Sequence, residues 1–348
     1  MTRFRKFSTF LLSTVVVSIV APQIALAEKS AKDYINEAKT HYQNRNLDQA
    51  IKKLNQAIQL NSNNASYYRF RGFVYKEQDK FTKALENYNQ AIQLNPDDAR
   101  LYRLRGYFYQ KQGKLEKALQ DYNQAIKLNP NNARFYRLRG FVYKEQGKLN
   151  QALENYNQAI QINPNDAQSY GARAFVYKQL GKLEKALQDY NQAINLNPSN
   201  TKLYASMYGA RAFVYKQLGK LEEALQDYNQ AINLNPNDPR FYFARGSVYQ
   251  KQGSLEKALK DYNQGININP KNARAYQMRA LIYKKQEKFS KALEELDKSI
   301  QINPNYTKAY YNRGIIHQKQ RRLEKALKNY NQAIQLKSDY AEAYYNRA

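Results

Sequence analysis

From Ala31 onward, apolar residues return at helical spacing in paired short runs, each pair split by a brief polar break. The stretch Ala99 to Pro130 shows the plan. Tyr102, Gly106 and Tyr109 lie within about 60° of one another on a helix turning about 100° per residue. Gly113 and Lys114 interrupt this stripe, as a tight turn does. Ala118, Tyr122, Ala125 and Ile126 make a second stripe. Asn129-Pro130 ends it, because proline cannot continue a helix and restricts the residue before it. The predicted unit is a helix, a turn and a second helix. Neither helix can bury its apolar face alone, so such units must stack.

The unit repeats. Asn-Pro recurs at Asn95-Pro96, Asn129-Pro130, Asn163-Pro164, Asn197-Pro198, Asn235-Pro236, Asn269-Pro270 and Asn303-Pro304, in steps of 34 residues with one step of 38. Places are counted here from Ala31, Ala65, Ala99 and so on, and past the longer step from Ala205. Alanine holds place 20 in every unit: Ala50, Ala84, Ala118, Ala152, Ala186, Ala224, Ala258, Ala292 and Ala326. Tyrosine dominates places 4, 11 and 24, which gives most of the 32 tyrosines a structural address as core-stripe residues. Small residues at places 8 and 20 let helix backbones approach closely.

An aromatic at place 4, Gly or Ala at 8, Tyr at 11, Ala at 20, Tyr at 24, Ala at 27 and Pro at 32 together resemble the tetratricopeptide repeat. The resemblance covers nine full repeats over residues 31–340, with a partial tenth over 341–348. It implies an all-α fold, a right-handed superhelical solenoid of 34-residue helix-turn-helix repeats. The long step places a four-residue insertion near 201–208, which either lengthens the first helix of repeat six or forms a loop. The blocks Gly171–Pro198 and Gly209–Pro236 differ only at Lys185 against Glu223, so the array grew by copying.

The chain opens differently. Arg3, Arg5 and Lys6 precede an uncharged apolar run from Phe7 to Ala21, Pro22 breaks it, and Ala25-Leu26-Ala27 precedes Glu28. This is the layout of a secretory signal peptide over residues 1–27, with cleavage between Ala27 and Glu28 and the array 28–348 exported to the periplasm or the extracellular space. The alternative is an uncleaved segment that anchors the repeats to the membrane from outside the cytoplasm.

Composition narrows the function. With no Cys there is no thiol chemistry and no Cys-based zinc site, and His41 and His317 stand apart at core-stripe places. No nucleophile–base pair, metal cluster or glycine-rich phosphate loop stands outside the repeats, so neither catalysis nor a cofactor nor a metal is expected. The formal charge of +27 predicts an anionic partner. Export removes intracellular nucleic acid as the reason for it.

Places 2, 5, 9, 12 and 13 of the first helix gather about 130° from the core stripe. By resemblance, that side lines the concave groove in which tetratricopeptide arrays hold peptides. It carries Arg69, Phe73 and Lys76 in repeat two; Arg100, Arg103, Tyr107 and Lys111 in repeat three; Arg134, Arg137, Phe141 and Lys144 in repeat four. Phe175 and Lys178, then Phe213 and Lys216, continue the column. Guanidinium and ammonium groups suit carboxylates, and the rings suit apolar side chains. A solvated basic face with rings packed between repeats is the other reading. The Lys and Asn clamp that some arrays of this family use for a terminal carboxylate is not reproduced, since Phe73 follows Arg69 and Tyr107 follows Arg103.

A second basic column lies nearly opposite. Arg71, Arg105, Arg139, Arg173, Arg211, Arg245, Arg279, Arg313 and Arg347 all hold place 7. Acids at place 22 or 23 are its expected partners: Glu86, Asp121, Glu154, Asp189, Asp227, Asp261, Glu294 and Glu295. Repeat one inverts the signs, with Glu37 against Lys52 and Lys53, and Arg313 faces Lys328 and Asn329 as an exception. Places 22 and 23 point about 100° apart, so no single contact geometry is expected. The sequence thus predicts an exported, non-enzymatic scaffold or adaptor for proteins or extended acidic peptides. The alternative is a charge-driven binder of envelope polysaccharide or another polyanion. The short tenth unit leaves the last apolar face incompletely covered, an expected route to self-association.

Overall fold

The computed structural model of the chain describes residues 29–196 and 199–348. The expected signal segment, with the cleavage site expected between Ala27 and Glu28, lies outside the described residues, as do Asn197 and Pro198. Every regular element among the described residues is a helix, and the chain divides into two compact units, Met1–Pro96 and Asp97–Ala348. The first holds α1 (Ala31–Gln43), α2 (Leu47–Leu60), α3 (Ala65–Glu77) and α4 (Phe81–Leu94). In the second, the first helices of the repeats are α5 (Ala99–Lys111), α7 (Ala133–Glu145), α9 (Ala167–Gln179), α11 (Thr201–Gln217), α13 (Pro239–Lys251), α15 (Ala273–Lys285) and α17 (Thr307–Lys319). Their partners are α6 (Leu115–Leu128), α8 (Leu149–Ile162), α10 (Leu183–Asn195), α12 (Leu221–Leu234), α14 (Leu255–Ile268), α16 (Phe289–Ile302) and α18 (Leu323–Leu336), and α19 (Ala341–Arg347) follows.

Each boundary has a local cause. The first helices from α3 to α15 start behind Asn or Asp, whose side-chain oxygen accepts from a backbone N–H of the first turn, as Asp98 does from Arg100 at 2.9 Å. Ser30 goes further and forms a capping box with Asp33. The turn to the second helix needs left-handed backbone at place 15. Gly113 supplies it at φ +71°, and Arg45, Asp79, Glu287 and Arg321 are forced to the same conformation without glycine's freedom. The next N–H then closes the turn, with Lys114 donating to the Tyr109 carbonyl at 2.8 Å.

The core follows the expected small-against-large scheme. Ala50, Ala84, Ala118 and their counterparts at place 20 are buried, and so are the tyrosines at place 24 from Tyr88 to Tyr330. Gly106 lets the Tyr122 ring lie close in this packing, because a Cβ there would come within 2.9 Å of the ring unless the ring shifted. The first-helix stripe needs correction. Tyrosines at places 4 and 11 are mostly half-buried, whereas places 3 and 10 are closed off, as at Leu101 and Phe108 or Phe135 and Val142. The first helix packs on its own partner and on neighbouring first helices as well, so its buried arc extends beyond one stripe.

The insertion lengthens a helix. α11 has 17 residues where other first helices have 13, and its extra turn packs Leu203 and Tyr204 against the cluster of Ala167, Ala193, Ile194 and Met207.

The arginine column is held by one geometry after all. In repeats two to nine its acceptor is at place 23, whatever residue stands there, and Arg347 of the partial tenth repeat donates to Asn331 at 3.2 Å. Arg105, Arg173, Arg211 and Arg245 each donate two bonds to Asp121, Asp189, Asp227 and Asp261, at 2.7–2.9 Å. Arg279 uses Glu295, not Glu294. Arg71 and Arg139 donate to the amide oxygens of Asn87 and Asn155 at 2.7 Å, and Glu86 and Glu154 are not the partners. Arg313 is no exception either, since it bonds Asn329 at 2.7 Å and Asp297 at 2.6 Å. In repeat one the ion pair is Glu37 with Lys53, again at places 7 and 23 with the signs reversed. A third bond reaches the second helix of the preceding repeat, as from Arg173 to Asn157 at 2.8 Å. Arg71, Arg139, Arg173, Arg211, Arg245, Arg279 and Arg313 thus each tie three helices together.

Candidate functional site

In the first unit, Phe73 packs at 5.4 Å from the Tyr42 ring, and the Lys76 ammonium lies 4.9 Å above Phe73 while pairing with Glu77 at 2.7 Å. Arg69 is half-buried beside them. These side chains sit together because places 5, 9 and 12 share one side of α3.

In the second unit, the predicted residues separate into groups. Arg100 is exposed and forks onto Asp98 at 2.8 and 2.9 Å. Arg103 lies two turns from Lys111, which is exposed and stands 5.6 Å over the Tyr107 ring. Arg137 reaches Asp166, the residue that caps the start of α9, at 3.0 Å, and with the exposed Arg134 it lines a shallow cavity of about 380 Å³.

Phe141, Lys144, Phe175, Lys178 and Phe213 form a continuous alternating column. Lys144 lies 3.8 Å from the Phe141 ring centre and 5.3 Å from that of Phe175. Lys178 repeats the arrangement at 4.5 Å from Phe175 and 5.1 Å from Phe213. Burial pushes both ammonium groups below the ordinary lysine range, while the ring faces attract the cation. Phe175 and Phe213 nevertheless remain 36% and 41% exposed. The rings of the column thus meet lysines of their own and neighbouring repeats and still present apolar surface.

The pattern changes after Phe213. Lys216 donates to the Ser247 hydroxyl at 2.6 Å instead of lying over a ring. Where the next ring of the column would stand there is a cavity of about 350 Å³, walled by Phe213, Phe243, Met278 and Tyr228, with Arg240 and Arg274 at its edge. Of these, only Phe213 and Lys216 were singled out by sequence. The signal for the rest was present: Arg240 and Arg274 continue the place-2 arginines Arg100 and Arg134, and Phe243 stands at place 5 where Arg69, Arg103 and Arg137 do.

Among the described residues, no group of three His, Cys, Asp or Glu side chains could hold a metal ion, and no helix is long and apolar enough to cross a membrane. Both histidines are half-buried at place 11. Burial and the nearby Arg313 hold the His317 imidazole below its usual range.

Comparison with known proteins places these features in a family. The family profile described as TPR repeat matches residues 38–79, 72–113, 109–147, 142–181, 214–253, 247–287 and 280–321. The profile described as Tetratricopeptide repeat matches 167–200 and 307–340. No curated protein matches the chain by sequence. Among solved structures, a tetratricopeptide repeat protein from Parabacteroides merdae is 21% identical, with a TM-score of 0.57 over 72% of this chain and 98% of its own. The APC/C hetero-tetramer Cut9-Hcn1 aligns at 14% identity and a TM-score of 0.57, over 91% of this chain and 75% of that one. The pilF protein of Pseudomonas aeruginosa aligns at 18% identity and a TM-score of 0.55, over 61% and 94%. At these identities the likeness speaks to fold, and it agrees with the stacked helix pairs seen here. With the repeat profiles spanning nearly all of residues 38–340, the chain belongs to the tetratricopeptide repeat family.

Proposed function

We propose that this chain is an exported, non-enzymatic scaffold whose first-helix face holds an extended acidic segment of a partner protein. The observation that carries this reading is the ring-and-lysine column ending in Phe175 and Phe213, large aromatics left partly open on a basic face. Exposed rings in a repeated row are uncommon on a surface without a partner. Arg134 on α7 and Arg274 on α15 supply exposed positive charge at the starts of first helices.

The test is crosslinking and mass spectrometry in the native host, comparing the wild type with Phe175→Ser/Phe213→Ser and with Arg134→Glu. Loss of the same captured proteins from both variants supports the reading. Unchanged capture sinks it. Capture that follows added salt alone and ignores the phenylalanines indicates the polyanion instead. Export is tested separately by N-terminal sequencing of the protein from fractionated cells, where a mature chain beginning at Glu28 is expected.

A further inference from the structure

The cavity framed by α11, α13 and α15 interrupts the ring-and-lysine column, and three features mark its walls and edge. First, repeat seven carries Phe243 at place 5, and Gly265 stands at place 27 where alanine is usual. A Cβ at Gly265 would fall deep inside the Phe243 ring's van der Waals envelope, so the missing methyl lets the ring lean onto α14 and leaves the cavity clear. Second, Tyr228 lines the cavity, is only 2% exposed, and makes no hydrogen bond through its hydroxyl among the described residues. Tyr122, Tyr262 and Tyr330 each donate to a glutamine at place 12, namely Gln110, Gln250 and Gln318, whereas Tyr156, Tyr190 and Tyr228, in repeats with lysine at that place, have no such bond among the described residues. Repeat six has Lys216 there, and Lys216 is turned to Ser247. Third, the edge is positive without a matching acid. Arg274 has no hydrogen-bond or ion-pair partner among the described residues, and Arg240 alone is neutralised, by Asp238. Burial, with Lys251 and Arg274 nearby, holds the Lys216 ammonium below its ordinary range.

We propose that this cavity anchors a bulky apolar side chain flanked by a carboxylate on an extended protein segment. The apolar group would fill the space between Phe213, Phe243 and Met278, whose volume falls at the small end of ligand pockets. The neighbouring carboxylate would meet Arg274 and Lys216, a charge-assisted contact in a partly dry site. The Tyr228 hydroxyl would gain the acceptor it lacks. This inference rests on the reading of the chain as a segment-binding scaffold and assigns that scaffold's specificity to repeats six to eight.

The probe is a fluorescein-labelled peptide with one phenylalanine between two aspartates in a glycine–serine background, titrated with the full chain and read by polarisation. Versions with the phenylalanine replaced by alanine, or both aspartates by asparagine, should each bind at least about tenfold more weakly. Gly265→Ala should push the Phe243 ring into the cavity, and Arg274→Glu should reverse the edge charge, each costing about tenfold or more. Arg274 is exposed, so that variant carries the test even if Gly265→Ala disturbs folding as judged by circular dichroism. Lys127→Glu, an exposed site on the back helix α6, is the charge control and should change affinity less than about twofold. If the peptide binds but is indifferent to both cavity variants and falls with Phe175→Ser, the anchor is overturned and the scaffold reading stands. If phenylalanine and alanine peptides bind alike and Lys127→Glu weakens them as much as Arg274→Glu, both are overturned.

Discussion

Arg173 and Lys178 sit five residues apart on α9, and their surroundings differ in kind. The Arg173 guanidinium donates to both oxygens of Asp189 at 2.7 and 2.8 Å and to Asn157 at 2.8 Å, and it lies 5.6 and 5.9 Å from the Tyr170 and Tyr177 ring centres. The Lys178 ammonium faces ring surfaces alone, with no carboxylate partner among the described residues. A planar fork with five donors fits a carboxylate and an amide at once, whereas a compact ammonium over a ring has a softer, less directional attachment. Two basic columns on the same helices thus have different uses. The arginines fix the stack, and the lysines and rings leave partly open apolar surface, the face proposed above to hold a ligand.

Breaking the arginine side of the comparison should have the largest effect. Arg173→Ala strands the buried Asp189 carboxylate and should cost about 3 kcal/mol, read as faster hydrogen exchange in α9 and α10. A loss below about 1 kcal/mol would place this arginine with ordinary surface pairs. Next in size, a double-mutant cycle on Arg105 and Asp121 should show a coupling of about 2 kcal/mol, and exchanging the two residues should recover part of either single loss. Additive losses would mean that the fork is incidental. On the other column, Lys178→Met should change stability by less than about 1 kcal/mol, because the lost ring attraction is offset by relief from burying an ammonium. A penalty near that of Arg173→Ala would erase the distinction.

The smallest effect concerns repeat one, where the signs are exchanged. Hydrogen bonds from Lys29 and Lys53 hold the Glu37 carboxyl at about 2, below its ordinary 4.5. The acid is depressed in the folded chain, so its contribution is complete above the ordinary value and disappears as pH falls through about 2. Melting curves of Glu37→Gln and wild type should therefore converge at the acid end and separate slightly above it.

The repeat architecture was legible because it is written many times over. Alanine at place 20 and tyrosine at place 24 are repeated constraints, and one misread unit is outvoted by its neighbours. The arginine column was legible in its places and not in its partners. Charge alone drew attention to Glu86 and Glu154, but the guanidinium is served by any oxygen at place 23, and Asn87 and Asn155 provide one. The groove residues were found from helical angle, which locates a face without saying what fills it. Whether Lys144 lies over a ring or Lys216 turns to a serine depends on the residue one repeat away. The cavity is not legible for a related reason, since it depends on a methyl group missing at Gly265 of α14, while its walls and rim come from α11, α12, α13, α14 and α15.

The lengthened α11 shows how this chain tolerates unequal units. Beyond its extra turn, Arg211 still meets Asp227 at 2.7 Å and Asn191 at 2.7 Å, and Lys220 still closes the turn on the Tyr215 carbonyl at 2.9 Å. Each unit takes its phase from the C-terminal end of its first helix, where that turn locks. Material added ahead of this end is an edit before the start of a word, leaving the spelling that follows intact. The same four residues placed after Tyr215 would put Arg211 and Asp227 out of step. Growth of such an array is therefore permissive at one seam and forbidden at the next.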